Sequence, residues 1–532
     1  MNPNVFDFMK RNVNSLIGAK KIVDKPDKTK VVYSPYHVSL NIKDLRNYNL
    51  NVLNGGIYDS IEHLDYPLRG LLQVRMGDSM KGGSKGKGFF RIPHNVSKEA
   101  SDFSFGEIAK VAFWGAAKDL EKRFSKNLGQ KSEREDFLYH SKEQIRNFIQ
   151  TKNPIKINIP EIENMFRNLS SGFNNYEILG NDLSFEFTEV DNYFYDSGGS
   201  KVFTTDSFYS TYLGFFAKSK DGLIVPHTFA WRSKDLPSSD FLLKKGHETI
   251  KQLEKIVKAP REKNGEYPII LCGENAGVLF HEVVGHGLEA HRNYLQGMDE
   301  TNLFKDKLNQ KVAPCLLSLH DDPSLKEFKG KKIMSSYIYD DEGIPAEKVE
   351  LIKGGVLKDL LHSRESAGYF KRNSNGHSRY SHADTREPHP RMGVLVAQTN
   401  NPLPFEDLKK MLKEECEKAN KPYGLFIKGK SHGWVLPSES FYSTYAKEAF
   451  RIYKNGTMKR VQGINVVGTP HNTLSNILAM SDNTMLENGF CGAESGLVTQ
   501  SIMAPDTLIK GLEVNRIPKE EYGRYYEDIS NK

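Results

Sequence analysis

The stretch GVLFHEVVGHGLEAHR, residues 277–292, carries two histidines and a glutamate in close succession. His281 and His286 stand five positions apart rather than four. On a helix turning about 100° per residue, side chains four apart diverge by about 40° and side chains five apart by about 140°. A regular α-helix therefore cannot aim both imidazoles at one point. A π-turn can, because its i to i+5 bonding inserts one residue. Gly285 lies just before the second histidine, where it eases backbone distortion, and Gly287 permits a break just after it. The spacing predicts a distorted helix if the histidines act together. The same residues also read as an ordinary core helix, with Val278, Leu279, Val283 and Val284 as its apolar side.

Two imidazoles suit zinc, which at a catalytic site takes three protein ligands and keeps one position open. Glu282, next to His281, is placed to take a proton from water whose pKa the ion lowers. No third ligand is visible nearby. His291 reads as a helix-end cation, and Glu289 is too close in sequence to His286 to be an obvious partner. A distant residue must complete the set, and His320, His377, His382 and Cys491 are the candidates. Cys491 is flanked by small residues in NGFCGAESG and offers a thiolate that zinc accepts.

The chain of 532 residues has room for two or more domains. Its 38 % hydrophobic and 27 % charged residues fit a globular protein. The net charge of +7 is small for this length and spread along the chain, which excludes a basic nucleic-acid-binding block. The best basic stretch, MKGGSKGKGFFR at 80–91, lacks phosphate-loop spacing and reads as a solvated loop. No apolar run approaches the roughly 20 residues of a membrane helix, and the N-terminus shows no apolar signal region. A cytoplasmic protein with no membrane or nucleic-acid partner is expected. The four cysteines form no C-x-x-C pair and read mostly as buried thiols.

The predicted architecture is α+β in two domains. The polar stretch KAPREKNGEY, 258–267, marks the boundary. Residues 1–262 form a mixed N-terminal domain, and residues 263–532 a largely β C-terminal domain carrying the metal-site helix. Helices are predicted at 105–124, capped by Ser104 with Ile108, Val111 and Ala112 inward, and at 240–258, with Ile250, Leu253 and Val257 inward. YSTYLGFFAKS and GLIVPHTFAWR read as strands. YPIILCG reads as a strand before the histidine helix, with Asn275 as its cap. Hairpins are predicted around Lys353, Gly354 and Gly355 and around Asn455 and Gly456. TLSNILAM, 473–480, reads as a short helix, and Asp340 with Asp341 as the start of a turn.

Four segments, in the same order, carry a family resemblance. AGVLFHEVVGHGLEAH resembles the H-E-x-x-x-H signature of the TldD/PmbA zinc metallopeptidases. IYDDEGIPAEKVELIKGGVLKDLLHSRESA is similar to the D-D-E-G-x-P segment and the hairpin after it. NGHSRYSHADTREPHPRMGVL resembles the loop ending in P-R-M, and CGAESGLVTQSIMAPDTLIKGLEV the C-terminal cysteine–glycine segment. The likeness covers residues 265–515 well and is faint before them. It implies one zinc ion per active subunit held by His281, His286 and Cys491, with Glu282 as general base. It implies a cytoplasmic peptidase acting on unfolded or short peptides, as a homodimer or paired with a related subunit. The alternative is a non-catalytic peptide-binding subunit of such a complex. The loop at 376–392 is rich in His and Arg donors, and with this likeness His382 and Arg391 are expected to contact substrate.

Overall fold

The computed structural model describes residues 3–24, 30–63, 67–78, 82–92, 98–127, 139–293, 304–429, 433–436 and 441–518. Its mixed α and β elements gather around two large sheets. The first sheet orders its strands Ile224–Ser233, Lys201–Lys218, Gly180–Asp196, Pro35–Leu53, Leu68–Asp78 and Gly82–Ile92, each antiparallel to its neighbour. The second runs Val356–Leu357, Val349–Lys353, Leu317–Asp321, Val394–Thr399, Gly496–Arg516, Gly265–Leu271, Tyr423–Lys428, Glu448–Tyr453 and Met458–Val461. Strand Ile477–Ala493 turns back on Gly496–Arg516 in a long hairpin. The strands predicted at 209–219 and 222–232 fall within the first sheet, as paired neighbours.

Helices cover apolar sides of the first sheet. Pro3–Ile17 buries Val5, Phe6, Met9 and Val13. Ser239–Ile256 begins at Ser238, whose side chain accepts the Phe241 N–H, and buries Ile250 and Leu253. Helix Lys98–Asn127 starts earlier than the sequence predicts, so Ser104 lies inside it and caps nothing. Its inward stripe is Phe105, Ala109, Ala112, Ala116 and Leu120, while Val111 is 63 % exposed. Most of the 80–91 stretch, expected as a solvated loop, is strand Gly82–Ile92, with residues 80 and 81 outside the described residues. Its glycines serve helix contact. A Cβ on Gly86 would lie 1.8 Å from the Ala112 carbonyl oxygen, and one on Gly88 2.4 Å from the Ile108 side chain. Only glycine lets helix and strand come so close.

Both predicted hairpins form. Gly354 and Gly355 take φ of 53° and 79°, as a tight turn between antiparallel strands requires. Gly456 turns the second at φ 85°. The 473–480 helix is corrected: helix Pro470–Ser475 ends before Ile477, where the long hairpin begins. A short apolar run does not by itself distinguish helix from strand. Asp340 does start a turn, its Oδ1 accepting the N–H groups of Glu342 and Ile344. Asp341 also ties this turn to the first sheet, accepting from Lys43 Nζ and Asn192 Nδ2 at 2.9 and 3.0 Å. Among the described residues no helix is long and apolar enough to cross a membrane.

Asp182, in strand Gly180–Asp196, is 8 % exposed, and its Oδ1 has no hydrogen-bond partner among the described residues. Burial pushes its pKa up from 3.8 to about 6, against a smaller opposing bond from Tyr58. The folded state therefore resists ionisation, and its penalty grows as pH rises from about 4 to 6. Asp182→Asn should raise stability at pH 7 by on the order of 2 kcal/mol and leave it unchanged near pH 4. Urea unfolding at the two pH values checks this; an equal effect at both would contradict the ionisation argument.

Candidate metal centre

Strand Gly265–Leu271 leads directly into helix Gly273–Phe280. Its N-cap is Cys272, not the expected Asn275, and the Gly273 N–H is taken by Asp506 Oδ1 at 2.8 Å. Asn275 instead accepts from the Cys272 thiol. The helix lies close on strand Gly496–Arg516. A Cβ on Gly273 would be 2.3 Å from the Ala504 carbonyl oxygen, and one on Gly277 2.9 Å from Ile502. These glycines set how near the helix approaches the hairpin.

The backbone then changes its winding. Residues His281–Gly285 form a π-turn, and the His286 N–H bonds the His281 carbonyl five residues back. A short 3₁₀ turn, His286–Leu288, follows. The predicted distortion is present, and it brings the two imidazole centroids to 4.7 Å. Gly285 has a steric reason as well: a Cβ there would sit 1.9 Å from the Met392 sulfur. Val283, Val284 and Leu288 enter the C-terminal core, so the segment is a core helix and a histidine platform together.

Cys491 comes from the far end of the hairpin, three positions before its turn at Glu494 and Ser495. Its Sγ lies 3.1 Å from His281 Nε2 and 3.3 Å from His286 Nε2. The three donor atoms lie within 4.8 Å of one another, and all three residues are buried. Zinc–ligand bonds of roughly 2.0–2.3 Å at tetrahedral angles place donors about 3.3–3.8 Å apart. Two nitrogens and a sulfur, slightly closer than this and converging on one point, are a donor set that suits such a cation. Burial would push the Cys491 thiol up, but His286, His281 and Arg391 outweigh it and hold its pKa well below the ordinary value. A thiolate is the form a metal accepts. Glu282 borders the trio, with Oε2 4.0 Å from His286 Nε2.

The other candidate ligands lie elsewhere. His320 sits in strand Leu317–Asp321, and His377 is bound to Asp321 Oδ1 at 3.1 Å. His382 packs against Phe208 and Phe490. It borders a cavity of about 100 Å³ between the two sheets, whose walls include Lys43, Asn192, Asp341, Arg379 and Thr499. Burial pushes the His382 pKa down to about 4, so its ring is neutral near pH 7. The substrate contact expected of Arg391 does not fit its placement, because it is 0 % exposed. Its guanidinium donates to the Cys491 carbonyl at 2.8 Å, Ser495 Oγ at 2.8 Å and the Gly496 carbonyl at 3.0 Å.

Glu289, dismissed in the sequence as too near, is 0 % exposed and meets His286 Nδ1 at 3.1 Å. Its other neighbours are Arg292 Nε at 3.1 Å and Arg391 Nε at 3.4 Å. The signal was available: a glutamate three positions after a histidine reaches it across one turn. His291 is no exposed helix-end cation but is buried, stacked on His389 at 4.8 Å. Its Nε2 is 3.8 Å from Glu494, whose carboxylate also takes Arg292 at 2.7 Å.

Residues 264–516 match a family profile described as the PmbA/TldA metallopeptidase C-terminal domain. A metalloprotease of Archaeoglobus fulgidus is 31 % identical over 50 % of this chain and 57 % of its own length. A metalloprotease of Methanothermobacter thermautotrophicus is 25 % identical over 63 % of this chain and 70 % of its own. A zinc metalloprotease TldD homolog of Saccharolobus solfataricus is 25 % identical over 50 % and 55 %. The match thus spans little more than half of the first and third of these relatives. Among solved structures, a Thermotoga maritima protein described as a modulator of DNA gyrase superposes with a TM-score of 0.64 at 16 % identity, over 90 % of this chain and 96 % of its own. TldE from Thermococcus kodakarensis gives 0.60 at 14 %, over 96 % and 99 %. At such identities these two show the fold alone.

Gly285→Ala should destabilise the protein by about 1–3 kcal/mol through overpacking against Met392. In a double-mutant cycle with Met392→Ala the Gly285→Ala penalty should shrink, since the thioether no longer stands where the new methyl goes. Denaturant unfolding of the four proteins measures it; additive penalties would contradict the contact.

Proposed function

We propose, from the premise that this chain belongs to the TldD/PmbA family, that it is a zinc-dependent peptidase hydrolysing unfolded or short peptides. The supporting observation is the convergence of His281 Nε2, His286 Nε2 and Cys491 Sγ beside the Glu282 carboxylate. His281, His286 and Cys491 would hold one zinc ion per active subunit. When bound, zinc supplies Lewis acidity toward a peptide carbonyl and lowers the pKa of water at the site toward neutrality.

The chain's own groups do the rest. Glu282 takes a proton from water as the water oxygen bonds to the carbonyl carbon. It then delivers that proton to the amide nitrogen as the C–N bond breaks. His382, neutral beside the inter-sheet cavity, is assigned to substrate contact, where its ring can donate or accept a hydrogen bond. Arg391 is assigned to holding the Cys491 turn. Pairing with a second copy or with a related subunit, in the cytoplasm, completes the proposal.

Glu282→Gln should keep zinc at the level of the unaltered protein and lower cleavage of an unstructured peptide by about 10²–10⁴-fold. Full activity in this variant would remove the general-base role. Cys491→Ala should lose both metal and activity. Zinc content measured beside peptide cleavage on the same unaltered sample separates the peptidase from its rival. Bound zinc with no cleavage would favour a subunit that only holds peptide.

A further inference from the structure

The two histidines of the trio are not held alike. His281 turns Nε2 toward Cys491, and its buried Nδ1 has no hydrogen-bond partner among the described residues. His286 turns Nε2 toward the same sulfur but places Nδ1 3.1 Å from Glu289 Oε2. Glu289 lies between two guanidinium groups, Arg292 and Arg391, and a carboxylate so placed is ionised and accepts only. The proton of the contact therefore sits on His286 Nδ1. In the neutral form of the ring, the form that ligates a metal, that leaves the lone pair on Nε2, the nitrogen facing the centre of the trio.

The same carboxylate is linked to the third donor. Arg391 contacts Glu289 with Nε and grips the Cys491 carbonyl, Ser495 and Gly496 with its other nitrogens. Arg292 spans from Glu289 to Glu494 in the turn of the hairpin. Glu289 itself is fixed by the backbone: after the 3₁₀ turn it is extended, at φ −71° and ψ 108°, and it forms a bridge with Leu361. One buried side chain thus orients an imidazole from the helix and, through a guanidinium, the strand that brings the thiolate.

We infer that Glu289 is a positioning residue of the metal centre, locking His286 as the Nδ1–H tautomer and joining it through Arg391 to the Cys491 turn. The inference rests on reading His281, His286 and Cys491 as a cation site. Glu289, His291 and Glu494 also lie close enough to share an ion. Arg292 and Arg391 already balance those carboxylates, which disfavours a second divalent cation there.

The test compares the full-length protein with Glu289→Gln. Each is stripped with chelator, and its zinc affinity is then measured by competition. Each is also loaded with cobalt(II), and the thiolate-to-metal charge-transfer band is recorded. Losing an outer partner of a ligating histidine weakens zinc binding by about 10–100-fold. That loss is expected in Glu289→Gln, with a changed cobalt spectrum. Unchanged affinity and spectrum overturn the inference, as does a variant whose stripped form merely melts earlier while its zinc affinity stays equal. Two zinc ions per chain, the second lost in Glu494→Gln, would make Glu289 a ligand and overturn it too. An unaltered protein that gives no cobalt–thiolate band overturns the cation-site reading, and the inference falls with it. Where Glu289→Gln alone does not fold, Glu289→Gln with Arg292→Gln restores the net charge of the cluster, leaving Glu494 and Arg391, and carries the same expectation.

Discussion

Two imidazoles with four residues between them can face one point only if the helix surrenders its regular bonding. The bond from the His286 N–H to the His281 carbonyl is where it does so. A wider turn of this kind leaves backbone poorly packed unless neighbours hold it from outside. Here the neighbours are the Gly496–Arg516 strand, reached closely because Gly273 and Gly277 carry no side chain, and Met392, which fills the space left at Gly285. The geometry of the trio is thus a property of the packing around the helix more than of the helix itself.

Charge is the second organising element. Buried ions are costly alone and tolerable when paired and hydrogen-bonded. Around the trio they alternate: Glu289 between Arg292 and Arg391, Glu494 against Arg292, and the sulfur of Cys491 facing two imidazoles. Removing one partner strands another in a region of low dielectric, which commonly costs about 3–5 kcal/mol. The arrangement holds strand, turn and helix in one register with few water-exposed contacts.

Part of this was legible in the residues. The five-residue spacing, with Gly285 and Gly287 beside it, implied a distorted helix if the two histidines act together, with a π-turn as one way to form it. The alternating and turn-bounded stretches gave both hairpins and helix Ser239–Ile256 within a residue or two. Cys491 was one candidate among four until the family resemblance singled it out, because a contact across 210 positions leaves no local pattern. Gly86 and Gly88 looked like loop residues since close helix approach and turn formation both call for glycine. Ile477–Met480 looked helical because a four-residue apolar run has no period to read. Glu289 was considered only as a ligand, and its place behind a ligand was missed.

Lys85, in the strand that carries those glycines, is buried against Glu365 and Glu387, and Arg75 joins it on Glu365 at 3.0 Å. Glu387 stands two positions from His389 and four from Arg391, so Lys85 of the first sheet tethers the loop that braces the cysteine turn. The first sheet is therefore more than a cover for the second. Residues 264–516 transplanted onto a foreign scaffold would carry two interior carboxylates with their counterions left behind, and the brace would lose its mooring.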